Sequence, residues 1–165
     1  MRTFTLGLMF LLTFPAAAAP PAGEMALIER GRYLLEIGGC HDCHTPGYTM
    51  QGGNAPKDAW LTGDRLGWQG AWGTTYAPNL RLRLNDMDLS TWVAFARTMK
   101  SRPPMPYWAL NRMSETDLSA IWHVVKWLGK AGDPAPAALP AGAAAAGPVV
   151  RFPEPPPSAK TSRPD

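Results

Sequence analysis

The residues best equipped for chemistry stand together at Cys40-His41-Asp42-Cys43-His44. Two thiols three positions apart share one side of a helical turn, and an imidazole follows the second at once. Such a pair can add to the two vinyl groups on adjacent edges of a porphyrin while His44 aims its ring at the central iron. Cys-x-x-Cys-His is the attachment signature of a c-type haem, and neutral imidazole is a good iron ligand. Other chemistries use the same residue types. A thioredoxin-like dithiol belongs with a βαβ pattern, which this chain lacks. A structural zinc asks for about four ligands, against two cysteines and three histidines, with His123 far away on a helical segment. A merely structural turn would leave two thiols open to oxidation in an exported protein.

The opposite face of such an iron needs a ligand, and eight methionines are available. Met105 is the candidate. It lies in Arg102-Pro103-Pro104-Met105-Pro106-Tyr107-Trp108, where prolines on both sides stiffen the loop and reduce the entropy lost on holding a thioether in place. Against this stands methionine's ordinary use as a core gap-filler. Met99 is expected in the core on a helix face, and Met113, just before another helix, is the rival ligand. His41 and His123 are expected to face solvent or be satisfied locally. The candidate set is therefore Cys40, Cys43, His44 and Met105 for the cofactor, with His44 and Met105 on the iron. Two filled axial positions leave no open site, which points to an electron carrier and not to an enzyme. Methionine opposite histidine raises the potential, as suits acceptance of electrons from a dehydrogenase cofactor.

Three helical periods are available to position these residues. The first places Leu27, Ile28, Gly31, Leu34, Leu35 and Gly38 on one face and stops at Gly38-Gly39. The second, Leu89 to Lys100, aligns Leu89, Trp92, Val93, Ala96 and Met99, with Asp86 or Asp88 as cap and Pro103-Pro104 preventing continuation. The third starts at Ser114-Glu115-Thr116-Asp117, a capping-box-like sequence, and aligns Leu118, Ile121, Trp122, Val125 and Leu128. Between the first two, Thr45 to Leu84 reads as loop. So long a loop suits a domain that wraps a large cofactor. Trp92 and Trp122 fit helix faces. Of the loop tryptophans Trp60, Trp68, Trp72 and Trp108, at least one is expected to pack on haem and donate its N–H to a propionate.

The ends read differently. Arg2, an apolar run from Phe4 to Phe14 and the small residues Ala16 to Ala19 form a signal-peptide pattern over residues 1–18, too short for the roughly 20 residues that span a bilayer. Its removal takes away Arg2 and lowers the formal charge from +3 by one. The remaining lysines and arginines are scattered, which excludes the clustered basic face of a nucleic-acid binder. The compact domain is expected over residues 23–130. Residues 131–165, dominated by Pro and Ala, are expected to be a disordered, extended tail.

Taken together, Gly31-Arg32-Tyr33-Leu34, Cys40 through Pro46, Pro78-Asn79-Leu80, Met105-Pro106-Tyr107 and Asp117 through Trp122 resemble the small monohaem cytochrome c domain. They especially resemble forms that accept electrons from periplasmic alcohol or sugar dehydrogenases. The resemblance implies a compact all-α fold of about three to four helices around one covalently attached haem c, with long loops and the first and last helices crossing near Gly31. It implies His44 and Met105 as axial ligands, and a carbonyl near Pro46 orienting the His44 ring. The implied partners are a dehydrogenase donor and a cytochrome or oxidase acceptor, with no nucleic acid and no membrane span. A subunit bound permanently to a dehydrogenase is the alternative, and a haem peroxidase or gas sensor would require Met105 to be off the iron. Two features depart from the family pattern. Val124 and Val125 stand where many relatives carry an aromatic residue, and the stretch Arg81-Leu82-Arg83-Leu84-Asn85 departs from the Thr-Pro-Asp usual after the asparagine.

Overall fold

A computed structural model describes residues 22–153. In chain order its elements are α1 (Ala22–Ile37), α2 (Cys40–His44), β1 (Gly67–Gly70), β2 (Gly73–Tyr76), α3 (Leu80–Asn85), α4 (Leu89–Thr98), α5 (Tyr107–Asn111), α6 (Glu115–Leu128) and β3 (Val149–Arg151), with two single 3-10 turns between α2 and β1. The three periodic segments are the three long helices, so the fold is mainly helical with long connections, as expected. The three short helices and the small sheet are additional.

Each long helix begins and ends for a local reason. Helix α1 stops where Gly39 takes a left-handed φ of 65°, a conformation that glycine adopts without steric cost. Helix α4 is capped by Asp88, whose carboxylate accepts the Thr91 N–H at 2.7 Å. Helix α6 is capped by Ser114, which accepts the Asp117 N–H at 3.1 Å. Helix α4 is shorter than expected and ends at Thr98. Met99 thus falls in extended backbone past the helix and outside the hydrophobic core, which corrects its reading as a core residue.

The core lies between α1, α4 and α6, with Leu61 and Leu84 completing it. At the crossing of α1 and α6, a Cβ on Gly31 would stand 2.2 Å from the Ala120 carbonyl oxygen and 2.8 Å from Val124 Cγ1. Only glycine lets the backbones approach so closely. Val124 and Val125 are both fully buried, and Val124 fills the space directly beside Gly31.

The segment read as a loop holds more order than its lack of period suggested. Strands β1 and β2 form an antiparallel hairpin pairing Gly67 with Tyr76 and Gly70 with Gly73. Strand β3 joins in parallel, giving the order β2-β1-β3. This corrects the expectation of an extended tail from residue 131: as far as Pro153 the chain crosses the hairpin as a strap. Its backbone is paired there, Leu139 with Thr74, Gly67 N–H with the Pro148 carbonyl at 2.9 Å, and Phe152 N–H with the Gln69 carbonyl at 2.8 Å. The Phe152 ring packs against Trp68 and Trp72. These backbone pairings and one aromatic anchor order a segment whose composition alone would not. The expected signal peptide, and the tail beyond Pro153, lie outside the described residues. Among those described, no helix is long and apolar enough to cross a membrane.

Candidate haem site

The Cys-x-x-Cys-His residues form a helix of their own. Gly38 and Gly39 end α1 and turn the chain so that Cys40–His44 restarts as α2. Both cysteines are free thiols and half-buried. Burial pushes the Cys40 thiol up to about 11 and raises that of Cys43 as well, so both are protonated near neutrality. No group of three or more His, Cys, Asp or Glu residues among those described is arranged to hold a metal ion, which speaks against the zinc alternative on its donor set.

His44 is buried, 6% exposed. Its Nδ1 lies 2.9 Å from the carbonyl oxygen of Pro78. A carbonyl only accepts, so Nδ1 carries the proton and Nε2 keeps its lone pair. Burial, reinforced by the nearby Arg83 cation, holds the imidazole pKa down against the opposing pull of the Pro78 bond. The ring is therefore neutral, fixed in one tautomer and ready to ligate. The orienting carbonyl is that of Pro78 and not one near Pro46, a correction to the sequence expectation. Residues 34 positions apart are involved because the segment just before α3 folds back against α2.

A set of buried polar contacts holds that fold-back. Thr45, fully buried, accepts the Leu61 N–H at 2.9 Å and shares a 2.8 Å hydrogen bond with His41 Nδ1. The Leu61 carbonyl in turn accepts the Leu80 N–H at 2.9 Å, and the His44 carbonyl accepts Gly63 N–H at 2.8 Å. Leu61 adopts a positive φ of 59°, unusual for a branched residue, and its fully buried side chain and two backbone partners fix it there. His41 is buried and not solvent-facing, stacked on Tyr48 with ring centroids 4.8 Å apart, so it is satisfied locally. His123 faces Glu24 at 3.8 Å, beyond hydrogen-bond reach.

Asn79 and Arg81 complete the frame. The Asn79 carbonyl oxygen Oδ1 caps α3 by accepting the Leu82 N–H at 3.0 Å, and its Nδ2 donates to the Ala131 and Asp133 carbonyls at 2.8 and 3.2 Å. Arg81 is buried. It donates to the carbonyls of Gly129 at 2.6 Å, Asp58 at 3.0 Å and Leu128. The guanidinium is thus committed to backbone, which explains how arginine replaces the usual residue after the asparagine.

Met105 is half-buried in its proline-flanked loop, just before α5. Of the loop tryptophans, Trp60 donates its N–H to the Ala55 carbonyl, Trp108 is 52% exposed, and the buried Trp72 Nε1 has no partner among the described residues. A groove of about 900 Å³ between hairpin and strap, lined in part by Trp72, Arg151 and Phe152, includes none of the Cys-x-x-Cys-His residues.

These features fit a covalently held haem: two free thiols on one turn, a neutral imidazole with its tautomer fixed, and surrounding loops tied together by buried hydrogen bonds. Cys40, Cys43 and His44 were legible from their spacing. Thr45, Leu61, Arg81 and the Pro78 carbonyl were not, because a backbone acceptor or a lone polar residue in a loop leaves no periodic signal. The Asn79 cap had a signal, an asparagine directly before an apolar residue.

No family model and no solved structure matches this chain. It is 29% identical over 138 residues to the gluconate 2-dehydrogenase cytochrome c subunit of Pantoea cypripedii, covering 68% of this chain and 29% of that relative. It is 26% identical over 132 residues to the alcohol dehydrogenase (quinone) cytochrome c subunits of Gluconacetobacter polyoxogenes and Komagataeibacter europaeus, covering 73% of this chain and 26% of each. The chain thus spans less than a third of the length of these relatives. The likeness to a dehydrogenase-linked c-type cytochrome, drawn first from residues 31 to 122, therefore stands.

Proposed function

We propose that this chain, similar as it is to dehydrogenase cytochrome c subunits, binds one haem c covalently and moves single electrons in the periplasm, from a dehydrogenase to a downstream cytochrome or oxidase. The observation that carries the reading is the His44 ring, whose Nδ1 proton is committed to the Pro78 carbonyl at 2.9 Å directly beside two free thiols. Cys40 and Cys43 would form the thioether links and His44 the first axial bond. Haem bound there would supply a one-electron ferric and ferrous couple.

Met105 is the second axial ligand in this reading, and the other described methionines support it by their placement. Met25, Met87 and Met113 pack against the hydrophobic core. Met50 is 89% exposed, and Met99 is the last-turn cap of α4. Met105 is partly buried without belonging to the core. A soft thioether held by a stiff loop suits an iron that must change charge without changing ligands.

A second reading, a subunit held permanently by a dehydrogenase, is favoured by the names of the relatives. Co-purification from periplasm with and without about 0.5 M salt separates the two, since a transient encounter of charged surfaces dissociates under such screening.

The deciding experiment is the absorption spectrum of the oxidised, periplasm-expressed protein beside Met105→Ala. A weak far-red sulfur-to-iron band in the parent, lost in Met105→Ala, is expected. Its absence from the parent, together with carbon monoxide binding to the reduced form, would replace the carrier with an open-site haem protein.

A further inference from the structure

The strap over residues 131–153 is bonded both to the segment that orients His44 and to the loop that carries Met105. On one side Asn79 donates to the Ala131 and Asp133 carbonyls, immediately beside Pro78, whose carbonyl holds His44. On the other, Arg102 Nη1 donates to the Leu139 carbonyl at 3.2 Å. Among the described residues this is the one hydrogen bond made by residues 100–104.

Leu139 is itself a fixed anchor. Its N–H and carbonyl pair with the Thr74 carbonyl and N–H at 2.9 and 3.0 Å, and Thr74 is fully buried. The strap passes so close that a Cβ on Gly73 would lie 2.1 Å from the Leu139 oxygen. From Arg102 the chain runs through Pro103 and Pro104 to Met105. Two prolines with fixed φ transmit the position of one end of this short run to the other with little slack. The far end of the loop is separately tied to α4, where Asn111 Nδ2 donates to the carbonyls of Ala96 and Met99. Without the Arg102 anchor only that far end is held.

We infer that the strap is a positioning element for the second axial ligand, with Arg102 and Leu139 as the link that holds the Met105 loop in place. The inference rests on Met105 being that ligand. Loosening the link raises the fraction of time Met105 spends away from the iron, which opens a coordination position to small ligands.

The test compares five haem-loaded proteins: the full chain, a chain ending at Pro153, a chain ending at Asp133, and full-length Arg102→Ala and Arg102→Lys. The readouts are the far-red band of the oxidised form and the rate of carbon monoxide binding to the reduced form. The Pro153 chain serves as reference for the shorter one, so that their difference reports residues 134–153 alone. Arg102→Ala is expected to speed carbon monoxide binding about threefold, and the Asp133 chain more than about tenfold, with the band weakened in parallel. Arg102→Lys, which keeps a cationic donor at the position, is expected to stay near the parent. Parental carbon monoxide rates and band in Arg102→Ala would overturn the inference, whether or not the Asp133 chain folds. If the parent itself lacks a band sensitive to Met105→Ala, the ligand reading fails and the inference falls with it. If that band is present and only the strap variants are silent, the strap role alone is wrong.

Discussion

Arg81 carries a full positive charge into the interior and uses its donors on three backbone carbonyls, two of them at the end of α6. The last carbonyls of a helix have no intrahelical donor, so this side chain completes α6 from a distance of 47 positions in sequence. Arg81→Met keeps much of the apolar stem and removes the donors. The unpaired carbonyls then cost about 2 to 4 kcal/mol, read as a lower urea midpoint with an unchanged slope. Arg81→Lys is expected to recover only part of this, because one ammonium cannot address three carbonyls set for a planar fork. A parental midpoint in Arg81→Met would show those carbonyls to be hydrated instead. The residue was visible in the sequence only as a departure from a pattern. The His44 partner was invisible for a deeper reason: any residue type supplies a carbonyl, so no spacing announces Pro78.

At the scale of elements, what could be read from sequence followed the strength of each period. Helices α1, α4 and α6 bury faces repeating every three to four residues, and their caps at Asp88 and Ser114 are side-chain chemistry with a local signature. Helix α3 hides because Leu80, Leu82 and Leu84 alternate like a strand, and the Asn79 cap with the fold-back over α2 decides the outcome. The β1–β2 hairpin hides because its strands are four residues long with glycine at three of their four ends. The strap was misread since Pro/Ala composition reports what a segment can bury and not what backbone pairing it can find. The crossing of α1 and α6, by contrast, was legible at a single glycine, and it yields a sharp contrast. Gly31→Ala drives a Cβ to 2.2 Å from a backbone oxygen, an overpacking that costs about 1 to 3 kcal/mol or more, offset by at most about 1 kcal/mol of helix propensity. Gly23→Ala, in the same helix with nothing within 4 Å, has only the propensity gain. Thermal unfolding of the two variants should therefore move in opposite directions from the parent. Equal shifts would mean that the crossing has room to relax.

The whole molecule combines two kinds of structure, which the proposed haem would support to different degrees. The core between α1, α4 and α6 buries Ile28, Leu35, Trp92, Leu118, Ile121, Val124 and Val125 among themselves, with Cys40 packed only at its edge. Residues 45–79 and 99–106 are different: outside the β1–β2 hairpin they are irregular and hold few core residues, and in the chain they adjoin His44 and Met105. Their order rests on a few buried hydrogen bonds, each worth about 1 kcal/mol net, set against roughly 1 to 2 kcal/mol of backbone entropy for every residue fixed. A covalently held haem at Cys40 and Cys43 would give these segments a further partner. Cys40→Ser with Cys43→Ser removes both points of attachment and little else. The doubly substituted chain, purified without bound haem, is expected to keep amide protection in α1 and α6 while losing it across residues 45–79 and 99–106, with a broad thermal transition in place of a sharp one. Hydrogen exchange read by mass spectrometry resolves the two regions. Protection retained throughout would mean that the loops are self-supporting. Protection lost throughout would mean that the helical core is too small to stand alone and that the fold and the cofactor are a single cooperative unit.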